Sequence, residues 1–473
     1  MATETPDFSS RPQRGCIPEI PEIPEIPAIP EIPAPARPAA DGGTTADVVV
    51  IGAGTAGLAA ARHLTGAGLG VIVLEATGRI GGRMATDHVD GFRLDRGSWL
   101  PVPDGPELAL LPRPLPLARL DGGVLLHGTG RVQRVGARPR RTDGQGGRSS
   151  LTAAFDQAWL RVNLGRMAQT AESRLLARPE LPARAALATR SVPARIAEGA
   201  LRPLLTVLLA DPALSASCRL SDLRLRAFAR AGLSLPRGGA AALPELLAGE
   251  LPSGTVRTGV RAVSVAANAV QTEGHGTIRC RSVLVATGAD RAAGLLDGLR
   301  VPEHHPVTVL HHAAPQGLPT GPALVVDTAR RGPVAHSLAA SAADPSRAPR
   351  GRTLVTSVVL GREAGEPPHL LDRAARAQLA ALHDAPAREW ELLAVRHDAR
   401  AVPATPPPYA AERRVRLLAG VYVCGDHRDA PGIGGELSSA RRAAAALCAD
   451  LGVPVPSGTA DPAPDPSLTA RAV

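Results

Sequence analysis

The chain reads as an α/β protein, and three observations predict it. An apolar stretch of strand length, Asp47–Ile51, runs directly into the turn Gly52-Ala53-Gly54-Thr55-Ala56-Gly57, and Leu58–Leu64 continues with helical character. A second apolar stretch, Gly70–Leu74, ends in Glu75, 18 residues beyond Gly57. Near the other end, Val421-Tyr422-Val423 leads through Cys424-Gly425-Asp426 to a helix that reaches Leu447. Strands that alternate with helices in this way belong to a mostly parallel sheet covered by helices.

Each part of the first unit has a physical task. Gly52 allows the tight strand-to-helix turn, Gly54 lets the backbone approach a diphosphate, and Gly57 lets helix and strand pack closely. A diphosphate there rests on N–H groups at the helix N-terminus. Glu75 is placed to accept hydrogen bonds from an adenosine ribose, and its charge disfavours a 2′-phosphate, which argues against NADP in this cleft. The whole is a Rossmann-type dinucleotide signature. Gly78-Arg79-Ile80-Gly81-Gly82-Arg83 follows, in which the glycine doublet permits another close backbone approach and Arg83 offers a planar fork to phosphate oxygens.

With this extension the chain resembles the FAD-dependent amine oxidase and phytoene desaturase superfamily. Four stretches carry the resemblance: Val48–Thr86, Gly91–Gly97, the segments from Leu235-Pro236-Arg237-Gly238-Gly239 to Val285-Ala286-Thr287-Gly288, and Val421–Arg428 with its helix. The resemblance implies a noncovalent FAD, because Val395–Pro408, which is similar to the region that tethers flavin in some relatives, contains no Cys. It assigns Gly52, Gly54, Ala56 and Gly57 to the diphosphate and Glu75 to the ribose. Gly81, Gly82 and Arg83 are assigned to the phosphates and ribityl chain, and Gly97 to the turn toward the flavin ring. Val260, in an expected strand Thr255–Val265, matches the position that meets the adenine edge. Gly425 and Asp426 match the ribityl end, and Ile433-Gly434-Gly435 would open the last helix against the flavin pyrimidine, where a helix N-terminus stabilises negative charge. Three positions depart from the family pattern: Glu436 replaces a common Ala, Ala440 a common Gly, and Ser98-Trp99 follow Gly97. Glu436 either stabilises the first turn of its helix or faces the flavin and lowers its potential.

Composition narrows the function classes. The 473 residues suffice for two or three compact units, and hydrophobic residues make up 44% of them, while aromatics are only 2%, so Leu, Val and Ala must fill the core. Lys is absent, so 53 Arg against 44 acidic residues give the net charge of +9, a balance that codon bias toward Arg explains without a nucleic-acid partner. The clusters Arg138, Arg140, Arg141 and Arg413, Arg414, Arg416 are not interleaved with stacking aromatics, which argues against a nucleic-acid partner. The five cysteines form no C-x-x-C pair and no metal spacing, and a reducing cytoplasm is the expected location. Neither a secretory signal nor a membrane-spanning run is visible, although weak contact with a membrane surface stays open if the substrate is a lipid. Oligomeric state is not legible.

The expected organisation is discontinuous. Residues 1–45 form a Pro-rich extension whose repeats, Ile17-Pro18-Glu19 to Ile29-Pro30-Glu31, suit a polyproline II rod, either a stiff spacer or a docking peptide. Residues 46–100, 235–295 and 411–453 make the FAD-binding domain, 101–234 and 296–410 an interleaved α+β substrate cap, and 454–473 a disordered tail. Within the cap, Leu151–Leu176 and Ala183–Leu209 read as helices, and Leu354–Leu360 and Ala394–Val395 as strand pieces.

The implied reaction moves a hydride equivalent from an organic small molecule to FAD, with the cofactor carrying the chemistry. Many amine oxidases of this type place a Lys near the flavin and cage the amine between aromatics. This chain has no Lys, so a plain monoamine or polyamine oxidase is disfavoured. An isoprenoid or carotenoid desaturase is the alternative, favoured by Leu-rich stretches such as Ala109–Leu120, and a flavin-binding scaffold acting through its Pro-rich arm is the third reading. His397 is either an acid or base near the substrate or a structural residue; His304-His305 and His311-His312 flank an apolar stretch with no carboxylate at metal-site spacing, His427 beside Asp426 would orient the last motif, and no catalytic base is assigned.

Overall fold

In the computed structural model the described residues are 45–454, without 104, 129–130, 137–150 and 316. The Ile-Pro-Glu repeat, Cys16, the Arg138–Arg141 cluster and the C-terminal tail lie outside them.

A six-stranded sheet forms the base of the molecule. Its order is Arg416–Leu418, Val421–Val423, Ser282–Val285, Val48–Ile51, Val71–Glu75 and Val256–Thr258, parallel throughout except for the antiparallel edge pair 416–418 and 421–423. Val48 to Ile51 are all buried, as a central strand covered on both faces requires. On one face lie the helix Thr55–Gly66, longer at both ends than its apolar core, and the last helix, Ile433–Asp450, packed against it. A three-stranded antiparallel sheet, Ala262–Ala266, Ala269–Thr272 and Gly276–Arg279, packs on the other through Val270 and Ile278. Val260 sits between two strands, Val256–Thr258 and Ala262–Ala266, and not inside one continuous strand. The positive φ of Gly259, +73°, breaks the pairing just before it.

The second sheet has seven strands, ordered Glu391–Pro403, His304–Pro315, Arg352–Leu360, Val334–Ala339, Leu324–Asp327, Val124–Gly128 and Arg131–Val135. All pair antiparallel save 324–327 with 124–128. The expected strand piece Ala394–Val395 is the middle of a 13-residue strand. Helices lie over this sheet, but the long helical readings break. Leu151–Gln169 and Glu172–Leu176 are separate, and Ala183–Leu209 divides into Ala183–Thr189, Ala194–Ile196, a π-helical turn Ala197–Leu201 and Arg202–Leu209. Pro193 pushes the preceding residue out of the helical region. Pro203 offers no N–H to Gly199, and the chain widens into the π turn just before it.

Candidate cofactor groove and substrate cavity

The ends of four neighbouring strands, Val71–Glu75, Val48–Ile51, Ser282–Val285 and Val421–Val423, converge at one edge of the six-stranded sheet. Gly52 N donates to Leu74 O (2.7 Å), Ala286 N to Ile51 O (2.8 Å) and Cys424 N to Val285 O (3.0 Å). The central strand Val48–Ile51 has neighbours reached by crossovers in opposite directions, which makes this edge the switch point where open α/β sheets bind ligands.

From that edge the predicted residues form a continuous track. Val260 N donates to Glu75 O at 2.9 Å. The Glu75 carboxylate accepts from Ala53 N (3.0 Å) through one oxygen and from Thr77 N (2.8 Å) through the other. Gly81 N donates to Ala53 O at 2.8 Å, and Gly54 and Gly81 bridge. Arg83 then spans to the C-terminal motif: Nη2 donates to Asp426 Oδ2 (2.7 Å) and Glu436 Oε1 (2.8 Å), and Nη1 to Ala401 O (2.8 Å). Gly425 N donates to Ser439 Oγ at 3.0 Å, which fixes Asp426 against the last helix.

The three glycines of the first turn differ in what surrounds them. A Cβ on Gly57 would lie 1.9 Å from Gly52 O, so that helix and strand touch there. Gly52 has φ +106°, a region that favours glycine. A Cβ on Gly54 would meet nothing within 4 Å and would stand in the groove itself. Behind it Thr55, Ala56 and Gly57 open the helix, and the first intrahelical bond runs from Leu58 N to Gly54 O. The N–H groups of that turn are thus free of intrahelical partners, as an anion site needs. The track fits a dinucleotide at the glycine turn, while Arg83 already satisfies two carboxylates.

Gly82, Arg83, Gly97, Asp426, Ile433 and Gly434 also line a cavity of about 970 Å³. Gly52, Gly54, Ala56, Gly57, Glu75, Gly81, Val260 and Gly425 lie on the track outside it. One wall is the helix Cys218–Ala231, which contributes Leu220, Leu223, Arg224 and Ala227 at helical spacing. Val207, Leu208, Leu209 and Ala210 continue it, and Val307, Val358 and Leu360 rise from the seven-stranded sheet. Sequence reading missed this wall, although the periodicity of Leu220–Ala231 carries it. The Leu-rich stretch Ala109–Leu120 is placed elsewhere: Leu111, Leu115 and Leu117 pack into the core under the first and last helices.

The cavity's polar groups are sparse. Ser98 Oγ lies 3.4 Å from His336 Nε2, and the buried His336 Nδ1 and Trp99 Nε1 have no hydrogen-bond partner. Burial alone holds His336 down to about 4, so its imidazole is neutral. His397 lines the cavity with its Nδ1 2.8 Å from Thr308 Oγ1. Arg224 bonds Pro431 O beside the start of the last helix, and burial lowers its pKa. His305 reaches the cavity, whereas His311 and His312 are fully buried, bonded to Asp95 O and Asp372 at 2.8 Å each. His427 is buried against Gly425 and held to about 4, chiefly by burial. The Cys424 thiol is buried and its pKa raised by that burial. Among the described residues no group of three or more His, Cys, Asp or Glu is arranged to hold a metal, and no helix is long and apolar enough to cross a membrane.

The profile of the family described as flavin containing amine oxidoreductase matches residues 55–448. A putrescine oxidase of Kocuria rosea is 54% identical over 65 residues, and a carotenoid 3,4-desaturase of Haloarcula japonica 49% over 59 residues. The matched stretches span only 14% and 12% of both chains in each pair. Among solved structures, putrescine oxidase bound to putrescine superposes with a TM-score of 0.64 at 19% identity, covering 86% of this chain and 99% of that one. Cyclohexylamine oxidase from Brevibacterium oxydans gives 0.64 at 18%, with the same coverage. At such identity the likeness is one of fold.

Proposed function

The chain belongs to the family of flavin-containing amine oxidoreductases, and from that membership we propose that it is an FAD-dependent oxidoreductase acting on a small organic donor in the cytoplasm. FAD, when bound, accepts two electrons from the donor as a hydride equivalent. The observation that carries this reading is the unbroken track from Val260 through Glu75, Ala53, Gly81 and Gly54 to Arg83 and Asp426, ending in the cavity.

On this assignment Val260 meets the adenine edge, Glu75 the ribose, and Gly52, Gly54, Ala56 and Gly57 the diphosphate. Gly81, Gly82, Arg83, Gly425 and Asp426 take the phosphates and ribityl chain, with Gly97, Ile433 and Gly434 beside the flavin ring. The domain partition that goes with it is 46–100, 235–295 and 411–453 for the cofactor and 101–234 with 296–410 for the substrate. The helix N-terminus at Ile433, with the Arg224 guanidinium beside Pro431, favours negative charge at the ring's pyrimidine end. The aliphatic wall of Val207–Leu209, Leu220 and Leu223 excludes water and orients the donor carbon. No side chain is assigned as a base.

A desaturase is the second reading, because the cavity wall is aliphatic and its aromatic residues are only Trp99 and Tyr409 among the described lining residues, too few for an amine cage. Anaerobic mixing of the flavin-loaded protein with candidate amines and with polyenes separates the two. Bleaching of the flavin bands by one class identifies it. A protein that stays colourless after reconstitution with FAD refutes the assignment.

A further inference from the structure

Arg83 is shared by more anions than it can neutralise. Its guanidinium lies 2.7 Å from Asp426 and 2.8 Å from Glu436, and both acids are nearly inaccessible, at 4% and 6% exposure. Asp398, on the strand Glu391–Pro403, adds its field to the same cation. Glu436 occupies the first turn of the last helix but turns its carboxylate across to Arg83. Thr55, which opens the first helix at the diphosphate turn, places its hydroxyl against the same carboxylate. Glu436 therefore stands between the helix N-terminus at Thr55, where the diphosphate is assigned, and the Arg83 guanidinium that would reach the same phosphates.

We propose that Glu436 is a positioning residue that makes cofactor capture proton-coupled: it holds Arg83 against Asp426, and a dinucleotide diphosphate takes that guanidinium only when Glu436 is neutral, so FAD enters together with one proton. This inference rests on the flavin assignment made above. A diphosphate beside two ionised carboxylates would bring three anionic groups to one guanidinium, and like charges in a buried site cannot all ionise. Burial pushes Glu436 up to about 7, in spite of Arg83.

The other groups facing this cluster do not supply the proton linkage. The Cys424 thiol, on the last strand of the base sheet, is raised by burial with Glu436 adding to it, and stays neutral. His427, beside Asp426, is held neutral at about 4, mainly by burial. His304, on the strand His304–Pro315, is lowered first by burial, with Asp426 and Arg83 acting in opposite senses. Arg83 itself resists burial through Asp426 and Glu436 and stays charged.

The sign follows from linkage. Below about pH 7 Glu436 is already protonated, and affinity for FAD is flat with pH. Above it, one proton must be taken up, and Kd rises about tenfold per pH unit, or about 100-fold between pH 7 and 9. The test titrates the full chain, stripped of flavin, with FAD from pH 6 to 9 by quenching of flavin fluorescence, and repeats it calorimetrically at pH 8 in buffers of different ionisation enthalpy. Wild type is expected to show the tenfold-per-unit slope and uptake of about one proton. Glu436→Gln is expected to bind with a flat profile and no proton uptake, about 100-fold tighter than wild type at pH 9. Equal profiles for the two proteins, or no proton uptake by wild type, overturn the proposal alone. Should the variant not fold, wild-type calorimetry decides by itself. Absence of FAD binding by either protein at every pH overturns the flavin assignment and the proposal with it.

Discussion

Gly54→Val separates cofactor binding from folding more cleanly than any other change in the groove. Gly54 has φ −77° and ψ 179°, an extended conformation that valine adopts without strain, and its Cβ would touch nothing within 4 Å. The isopropyl group would then stand in front of the N–H groups of Thr55, Ala56 and Gly57. Hydrogen bonds from backbone N–H to an ionised acceptor contribute about 1.5–3 kcal/mol each. Loss of two of them costs about 3–6 kcal/mol, or roughly 10²- to 10⁴-fold in Kd for FAD. Equilibrium dialysis of the variant, with denaturant unfolding of the flavin-free chain as control, reads both quantities. The variant is expected to keep the unfolding midpoint of flavin-free wild type and to lose the flavin. Gly57→Ala is the contrast: its methyl would collide with Gly52 O at 1.9 Å, so it lowers stability even without cofactor. Full flavin stoichiometry in Gly54→Val at micromolar FAD refutes the assigned cradle.

Three further outcomes are expected. Arg347→Met leaves Asp95 and Asp344 buried without their guanidinium, which lies 2.7 and 3.4 Å from them, and should cost about 3–5 kcal/mol in urea unfolding. His311 and His336 are held to about 4, chiefly by burial, against an ordinary 6.5; since the unfolded chain takes the proton first, stability is full above pH 6.5 and falls toward pH 4. Each contributes about 3 kcal/mol to that acid loss, and His311→Asn should flatten the stability–pH curve in this window. Leu223→Trp, on the cavity wall, should lower kcat/KM at least about tenfold while flavin content stays that of wild type.

The base of the molecule was legible because its constraints are local. Within the turn, Gly52 is fixed by its own positive φ and Gly57 by contact with Gly52 O five residues back, and Val48–Ile51 announces burial by being apolar throughout. Glu75 was legible for the same reason, at the end of the next strand. The cap was harder. Its helices break at Pro193 and near Pro203, and Glu391–Pro403 is a strand that alternates weakly and contains three charged or His positions in a row, Arg396 to Asp398, with a fourth at Arg400. That strand owes its length to pairing with His304–Pro315, where facing residues such as Thr308 and His397 lie 89 positions apart in the chain. Thr255–Val265 is rich in β-branched residues on both sides of Gly259, and that one left-handed glycine divides it into two strands with Val260 between them. The contact least accessible to sequence is Arg83 with Glu436. It joins residues 353 positions apart, and only the departure of Glu436 from the family's usual Ala hinted at it.

The same guanidinium explains how groove and cavity hold a common geometry. Arg83 bonds Asp426 and Glu436 at the last helix and Ala401 O on the seven-stranded sheet, so one planar fork ties the cofactor track to the cavity floor. A lysine, with a single ammonium, would not meet three acceptors in those directions. Arg347 makes a second tie: Nη1 donates to Asp95 Oδ2 and Nη2 to Pro236 O, both at 2.7 Å. Asp95 also accepts from Thr86 Oγ1 and Ala240 N, and His311 Nε2 donates to its carbonyl. Residues 97–99, which line the cavity, begin just beyond this fastened Asp95. The position of Gly97, Ser98 and Trp99 is therefore set by buried polar contacts behind them, and a substitution at Asp95 reshapes the cavity without altering a single side chain that faces it.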